Sequence, residues 1–346
     1  MINTGFFTRL QACCRAPFRA IAVSALGFFA LGCGPTYGDG TPWQVLEADN
    51  PEGPGSVVEV REGQHLVARL VHGEGQMKPF LHVFGRGGER LTNPGLDEAG
   101  ETQGEFPHHR GIFIGWNHID SELGRDDLWH LRQGEWMEVV EIKRKQGGDS
   151  GALIEAEIVW RSSEKDDQGS NELLREIRTI SLSRPEGGVG TQVDVRFQLT
   201  AVRDVKLGGD LQHAGIHFRA DHTVGARRGE TIYLWEPPVD DGGGRIVNAD
   251  MKWCRFLFPI GDNWYSALQL NPDTNPTEEL SWRDYGRFGF FFKHELAAGE
   301  SFHVDYRFLI EPAEAPAGEG GTLTEEQERE ARQRAEAAHR AFAPGS

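Results

Sequence analysis

Between Val57 and Ile310 short apolar stretches alternate with clusters of Gly, Asn and Asp. In Thr191-Gln192-Val193-Asp194-Val195-Arg196-Phe197-Gln198-Leu199 every second side chain is polar. That is the pattern of a strand with one face on a core and the other in water. Comparable stretches recur at His65–Val71, Pro79–Phe84, Gly111–Trp116, Trp136–Ile142, Ala152–Trp160, Arg175–Leu182 and His213–Ala220. They continue at Thr231–Trp235, Met251–Phe258, Tyr265–Leu270, Phe288–Phe292 and Phe302–Ile310. This many strands with no helical period between them predict an all-β fold, a large antiparallel β-sandwich, rather than parallel βαβ units. No longer internal repeat is present, which argues against a propeller.

Both ends break the pattern. Arg9, Arg15 and Arg19 precede an apolar run, Ala20–Leu31, too short for the roughly 20 residues that span a bilayer and typical of a signal-peptide core. Residues 1–33 are therefore expected to be an export signal. Ala30-Leu31-Gly32-Cys33 resembles a lipobox, so lipidation of Cys33 is expected, anchoring the protein to the outer or cytoplasmic membrane as an exported cell-envelope lipoprotein. A plain secretory signal is the alternative. Residues 34–54, rich in Gly, Pro and acids, read as a tether; 55–312 form the sandwich, 313–322 a second linker and 323–343 a C-terminal helix. That helix opens on a Thr324/Gln327 capping-box pattern, and its mostly Ala apolar face predicts weak docking. With Cys13, Cys14 and Cys33 all in the leader, Cys254 has no partner for an internal disulfide.

Composition narrows the chemistry. The formal charge is −17, and such a surface repels phosphate backbones, so no nucleic-acid partner is expected. No Gly-rich nucleotide loop, His-Glu-x-x-His, Gly-x-Ser-x-Gly or Cys-x-x-Cys occurs. Histidine is unevenly spread: His108, His109, His118 and His130 fall close together, and His213 and His217 form a second group. Imidazole is the side chain that most readily exchanges protons near neutral pH. On a strand over Leu211–Ala220, His213, Gly215, His217 and Arg219 share one face, and Gly215 leaves room there for a ligand or a crossing chain.

His109, His213 and His217 are the leading acid/base candidates. Arg110, Arg219, Arg283 and Arg287 can bind hydroxyl or carboxylate groups. Trp116 and Trp129 can stack on a sugar ring, and His118, Asp126, His130 and Asp284 are further candidates to bind substrate. The alpha carbons of His213 and His217 would stand about 13 Å apart, which places organic-ligand chemistry ahead of a metal site. No cofactor is expected, and a bound metal ion is left open.

Three segments carry a family resemblance: Phe106-Pro107-His108-His109-Arg110-Gly111, Asp210-Leu211-Gln212-His213-Ala214-Gly215-Ile216-His217-Phe218-Arg219 and Arg283-Asp284-Tyr285-Gly286-Arg287-Phe288-Gly289. In these the chain resembles the PmoA-like family, secreted bacterial proteins labelled "methane oxygenase PmoA". The resemblance implies a supersandwich of the galactose-mutarotase-like kind, whose members mostly bind or transform carbohydrates. It supplies no catalytic residues. A membrane methane oxygenase also needs spanning helices, and no apolar run after Cys33 is long enough. The leading expectation is an enzyme acting on a carbohydrate or other small polyhydroxyl ligand by His/carboxylate chemistry, mutarotase-, lyase- or hydrolase-like rather than an oxygenase. The alternatives are a non-catalytic glycan-binding lipoprotein and a His-ligated metal-dependent oxidase.

Overall fold

The alternation is realised as antiparallel sheets in a computed structural model that describes residues 41–95, 104–187 and 189–342. The leader, with Cys33, lies outside the described residues. A nine-stranded sheet runs, in spatial order, through Trp43–Asp49, Ser56–Glu62, His65–His72, Phe80–Val83, Ile112–Trp116, Ala214–Arg219, Arg287–Phe291, Glu279–Arg283 and Ile246–Val247. An eight-stranded sheet runs through Ile232–Glu236, Trp253–Ile260, Asn263–Leu270, Ser301–Ala313, Thr191–Ala201, Glu172–Ser183, Gly151–Arg161 and Trp136–Gly147. Four short strands, His294–Leu296, Val205–Leu207, Ile119–Ser121 and Gly124–Asp126, make a third sheet.

The two large sheets bury their facing side chains in one core: Ile112, Ile114, Trp116, Ala214, Ile216, Phe218, Phe288 and Phe290 from one, Ile154, Ile158, Trp160, Val193, Val195 and Phe197 from the other. The fold is an all-β sandwich. Trp43–Asp49 falls inside the stretch expected to be a tether; it is an edge strand paired residue for residue with Ser56–Glu62. The C-terminal helix is Glu325–Ala341, with Thr324 and Gln327 forming the reciprocal capping box. Weak docking is corrected, because Ala331 and Ala335 are buried against Trp253, Leu268 and Leu270 of the eight-stranded sheet. Small side chains here let the helix backbone approach the sheet closely.

The side of the nine-stranded sheet away from the core is unusual, because it is also buried. In its central strands Phe113 and Gly115, His217 and Arg219, and Arg287 and Gly289 alternate with the core residues and point outward. Loops over residues 104–111 and 127–132 lie on this face. A Cβ on Gly115 would come 2.6 Å from the Leu128 carbonyl oxygen, and one on Gly289 would come 2.6 Å from Cγ of His217. Glycine at these two positions is what lets the loop and the imidazole lie flat on the sheet.

Candidate functional site

Two copies of one local device build the site: Asp127-Leu128-Trp129-His130 and Asp210-Leu211-Gln212-His213. In the first, Asp127 Oδ1 accepts the backbone N–H groups of Trp129 (3.2 Å) and His130 (2.9 Å), and Oδ2 lies 2.7 Å from His130 Nδ1. In the second, Asp210 Oδ1 accepts the Gln212 N–H at 2.8 Å and lies 2.8 Å from His213 Nδ1. Asn117 fixes Asp210 in turn, donating from Nδ2 to Oδ2 at 3.0 Å. The Asx-type turn thus brings each imidazole back onto its own carboxylate three residues earlier.

The two rings stand tilted at 47° with centroids 4.9 Å apart, and the His108 ring lies 4.8 Å from that of His130. With Nδ1–H given to the carboxylate, the neutral imidazole presents its lone pair at Nε2. No described residue hydrogen-bonds Nε2 of His130 or of His213.

Burial disfavours the charged forms of His108 and His213. Burial lowers the pKa of His213 against the opposing pull of Asp210, and Arg287 and His130 lower it further. Burial, then Lys78, then His130 push His108 down to about 2. Asp127 and Asp210 are held below the ordinary carboxylate range: burial works upward, and the His hydrogen bonds outweigh it.

Beneath the pair lies an enclosed aromatic layer. Trp129, fully buried, donates from Nε1 to His109 Nε2 at 3.1 Å and stands edge-on to His217 at 4.7 Å. His109 stacks 6.0 Å from Phe113 and 6.4 Å from Tyr285. Arg287, only 1% exposed, donates to the Gln212 carbonyl at 2.6 Å and reaches His217 Nδ1 at 3.4 Å. Burial drives both His109 and His217 well below the ordinary imidazole pKa. Above the layer opens a cavity of about 430 Å³ whose lining includes Lys78, Phe106, His108, Arg110, His130 and Arg132. Phe106 (φ 57°) and Leu131 (φ 60°), both lining it, are two of only three non-glycine residues with positive φ among the described residues. Backbone strain of this kind costs on the order of 1–3 kcal/mol and persists where the surroundings hold it.

The sequence candidates divide on this geometry. His109, Arg110, Trp129, His130, His213, His217, Arg219 and Arg287 converge on the outer face. Of the three proposed acid/base imidazoles only His213 is open; His109 and His217 are sealed, the latter with Nε2 3.0 Å from the Ala214 carbonyl oxygen. Arg219 is also sealed, stacked 4.8 Å over Tyr285 and donating to the carbonyls of Ala220 and Tyr285. Trp116 cannot stack on a ligand, because it lies in the core with Nε1 donating to the Phe292 carbonyl at 3.0 Å.

Asp126 accepts from Ser162 Oγ at 2.9 Å; its neighbour Asp127 is the one that holds His130. His118 sits at the turn before Ile119–Ser121, near Asp120 rather than the cavity. Arg283 donates to the carbonyls of Arg245 and Trp282, and Asp284 is paired with Arg245 at 2.7 Å; neither lines the cavity. Gly215 offers no opening, since a Cβ there would lie 1.9 Å from the Phe290 carbonyl oxygen. Sequence reasoning weighs Asp127 beside Asp126 as the residue that orients His130, and passes over Lys78 and Asp210. The repeated Asp-Leu-x-His pattern was the signal for Asp127 and Asp210.

A family model matches residues 57–323, a span that holds every residue of this site. The chain belongs to DUF6807, a family of unknown function. Among curated proteins no relative of this DUF6807 member matches. Solved structures match it at low identity. A galactose mutarotase-like protein from Lactobacillus casei ATCC 334 is 7% identical, covering 77% of this chain and 99% of its own at a TM-score of 0.36. A galactose mutarotase related enzyme from Lactobacillus acidophilus is 9% identical, covering 78% and 97%, with a TM-score of 0.34. A protein described as a kojibiose phosphorylase, from the human microbiome, is 8% identical with a TM-score of 0.33; 87% of this chain is covered but only 36% of that one. Among the described residues no group of three or more His, Cys, Asp or Glu is placed to hold a metal ion.

Proposed function

We propose that this DUF6807 protein is an exported enzyme that acts on a carbohydrate by imidazole acid–base chemistry at the His130/His213 pair. The observation that carries the proposal is the pairing itself: two imidazoles 4.9 Å apart, each oriented by its own aspartate, neither Nε2 hydrogen-bonded to a described residue, with His130 lining a cavity of about 430 Å³ and His213 half-buried next to His130. One ring, neutral, takes a proton from a substrate hydroxyl or C–H through Nε2. The other, protonated, returns one to the oxygen on which charge develops. The aspartates hold the reactive tautomer and stabilise whichever ring carries the charge.

Phe106 and His108 supply flat walls for the apolar face of a sugar ring, and Arg110 supplies donors for its hydroxyls. His109, His217, Trp129 and Arg287 are positioning residues, since they fix the floor without reaching the cavity. Within the same reading Cys33 carries the lipid anchor, and the label "methane oxygenase PmoA" is a name rather than a mechanism.

The test is turnover of a panel of mono- and oligosaccharides by the wild type, His130→Ala, His213→Ala and the double variant. Each single change should lower kcat by about 10²–10⁴-fold, the usual worth of a positioned acid or base. The double variant should be little worse than either single one, because the pair works as a unit. Thermal unfolding should be unchanged, as both rings are partly solvated. Wild-type rates in both single variants would overturn the proposal. Saturable sugar binding with no turnover by the wild type would select the glycan-binding alternative.

A further inference from the structure

The described cavity lining has a charge opposite to that of the chain. Lys78, Arg110 and Arg132 line it together with His108 and His130, and no described carboxylate does. Elsewhere in this acidic protein several buried and half-buried arginines pair with acids, Arg69 with Glu59 at 2.8 Å, Arg178 with Glu176 at 2.6 Å and Arg184 with Glu62 at 2.6 Å, whereas buried Arg219 and Arg255 form no ion pair with a described residue. At the cavity none of the three cations forms an ion pair with a described residue.

Lys78 is 2% exposed, and among the described residues its Nζ donates to a single acceptor, the Trp129 carbonyl at 2.7 Å, while resting 4.3 Å over the Phe113 ring. Arg110 spends Nε on the Pro107 carbonyl and Nη1 on Gln76 Oε1, both neutral acceptors. Below them Arg287 adds a further buried cation whose partners are likewise neutral. Cations withdrawn from water without a counter-charge raise the free energy of the empty site, and an anion entering the cavity offsets that cost.

We infer that the carbohydrate taken by this site bears a carboxylate, as in a uronic acid, seated between Lys78 and Arg110 with Arg132 at the rim. The inference rests on the reading of the His130/His213 cavity as a sugar site and narrows it to acidic sugars. The aromatic walls at Phe106 and His108 then face the pyranose ring, and the carboxylate determines which of its carbons is presented to the imidazole pair. Burial of Lys78 beside Arg110 depresses its pKa; a carboxylate alongside restores the charged form and so strengthens its own binding.

The experiment is a calorimetric titration of the full chain with sodium D-galacturonate, its uncharged methyl ester and inorganic phosphate, with the imidazole signals of His130 and His213 followed by NMR. The uronate should bind at least tenfold more tightly than the ester and should shift both imidazoles. Lys78→Met should weaken uronate binding at least tenfold and leave the ester unchanged, while Arg110→Gln, which also loses a hydroxyl donor, should weaken both and the uronate at least tenfold more. Equal affinity for uronate and ester would overturn the acidic-sugar inference while leaving the sugar site standing. Phosphate binding more tightly than uronate would overturn the carboxylate assignment. Failure of both sugars to bind, with the imidazole signals unmoved, would remove the sugar site and the inference together.

Discussion

The same three strands, Ile112–Trp116, Ala214–Arg219 and Arg287–Phe291, bury two opposite kinds of surface. Their inner face is hydrocarbon: Ile112, Ile114, Trp116, Ile216, Phe218, Phe288 and Phe290 interdigitate with the second sheet. Their outer face is just as enclosed, yet holds His217, Arg219 and Arg287, with the Nε atoms of both arginines and Nδ1 of His109 lacking any described hydrogen-bond partner. Folding needs only the first kind. Unpaired buried polar atoms cost on the order of 1–3 kcal/mol each, so a protein that keeps several together on one side of one sheet is holding a charged, pre-arranged platform there. The inner face stabilises the sandwich; the outer face is stabilised by it.

Acid separates the two faces most sharply. His82, His109 and His217 are buried on or against the outer face, with pKa values driven well below the ordinary imidazole value by desolvation. The unfolded chain therefore binds protons near pH 6.5 that the folded protein refuses. Stability is complete above that pH and is lost as pH falls below it, by about 1.4 kcal/mol per pH unit for each such group. The depressed Asp127 and Asp210 add their own loss only below the ordinary carboxylate range. Urea denaturation at intervals from pH 8 to pH 4.5 should show a plateau and then a steep fall beginning near pH 6.5. A flat profile to pH 5 would mean that these imidazoles are not sealed. The inner face contributes nothing to this slope.

Truncation on the inner face gives the next largest effect. Phe218 is fully buried among Phe256, Phe258 and Phe288. Phe218→Ala should cost about 3–5 kcal/mol by removing the ring and leaving a cavity. The denaturant midpoint should fall, while substrate affinity per folded molecule stays the same. A drop in affinity matching the drop in stability would show that the two faces are mechanically coupled rather than layered.

How much of this was legible in the chain follows from the range of each interaction. Period-two alternation revealed the sandwich, and the parity of Ala214 to Arg219 separates Ile216 and Phe218 from His217 and Arg219, because a strand sends alternate side chains to opposite faces whatever it pairs with. The same parity puts Trp116 with Ile112 and Ile114, which argues against its use as a stacking platform. Partnerships across the fold were not legible. Asp284 meets Arg245 across 39 positions, and Lys78 meets the Trp129 carbonyl across 51. No local pattern marks a lysine whose only acceptor comes from a distant loop. The edge strand Trp43–Asp49 was missed because it lacks a clean alternation, with Leu46 and Ala48 exposed beside Glu47 and Asp49, and its sequence lies among Gly and Pro.

Lys78 supplies the smallest and most discriminating effect. On an inner-face logic, replacing a fully buried side chain that makes a 2.7 Å hydrogen bond destabilises the protein. On the outer-face logic the balance reverses. Methionine matches the lysine stem in length and keeps its packing on Phe113 and Trp129. The loss is one hydrogen bond, worth about 1 kcal/mol, and the gain is release from desolvating a cation that forms no ion pair with a described residue, a cost that commonly exceeds it. Lys78→Met should therefore be as stable as the wild type or more stable by about 1 kcal/mol, measured as the denaturant midpoint at pH 7, while losing its affinity for an acidic sugar. Destabilisation by several kcal/mol would place Lys78 with Phe218 as a structural residue and dissolve the distinction between the faces at this position. Stability kept and binding lost is the signature of a group retained for its ligand at a cost to the fold.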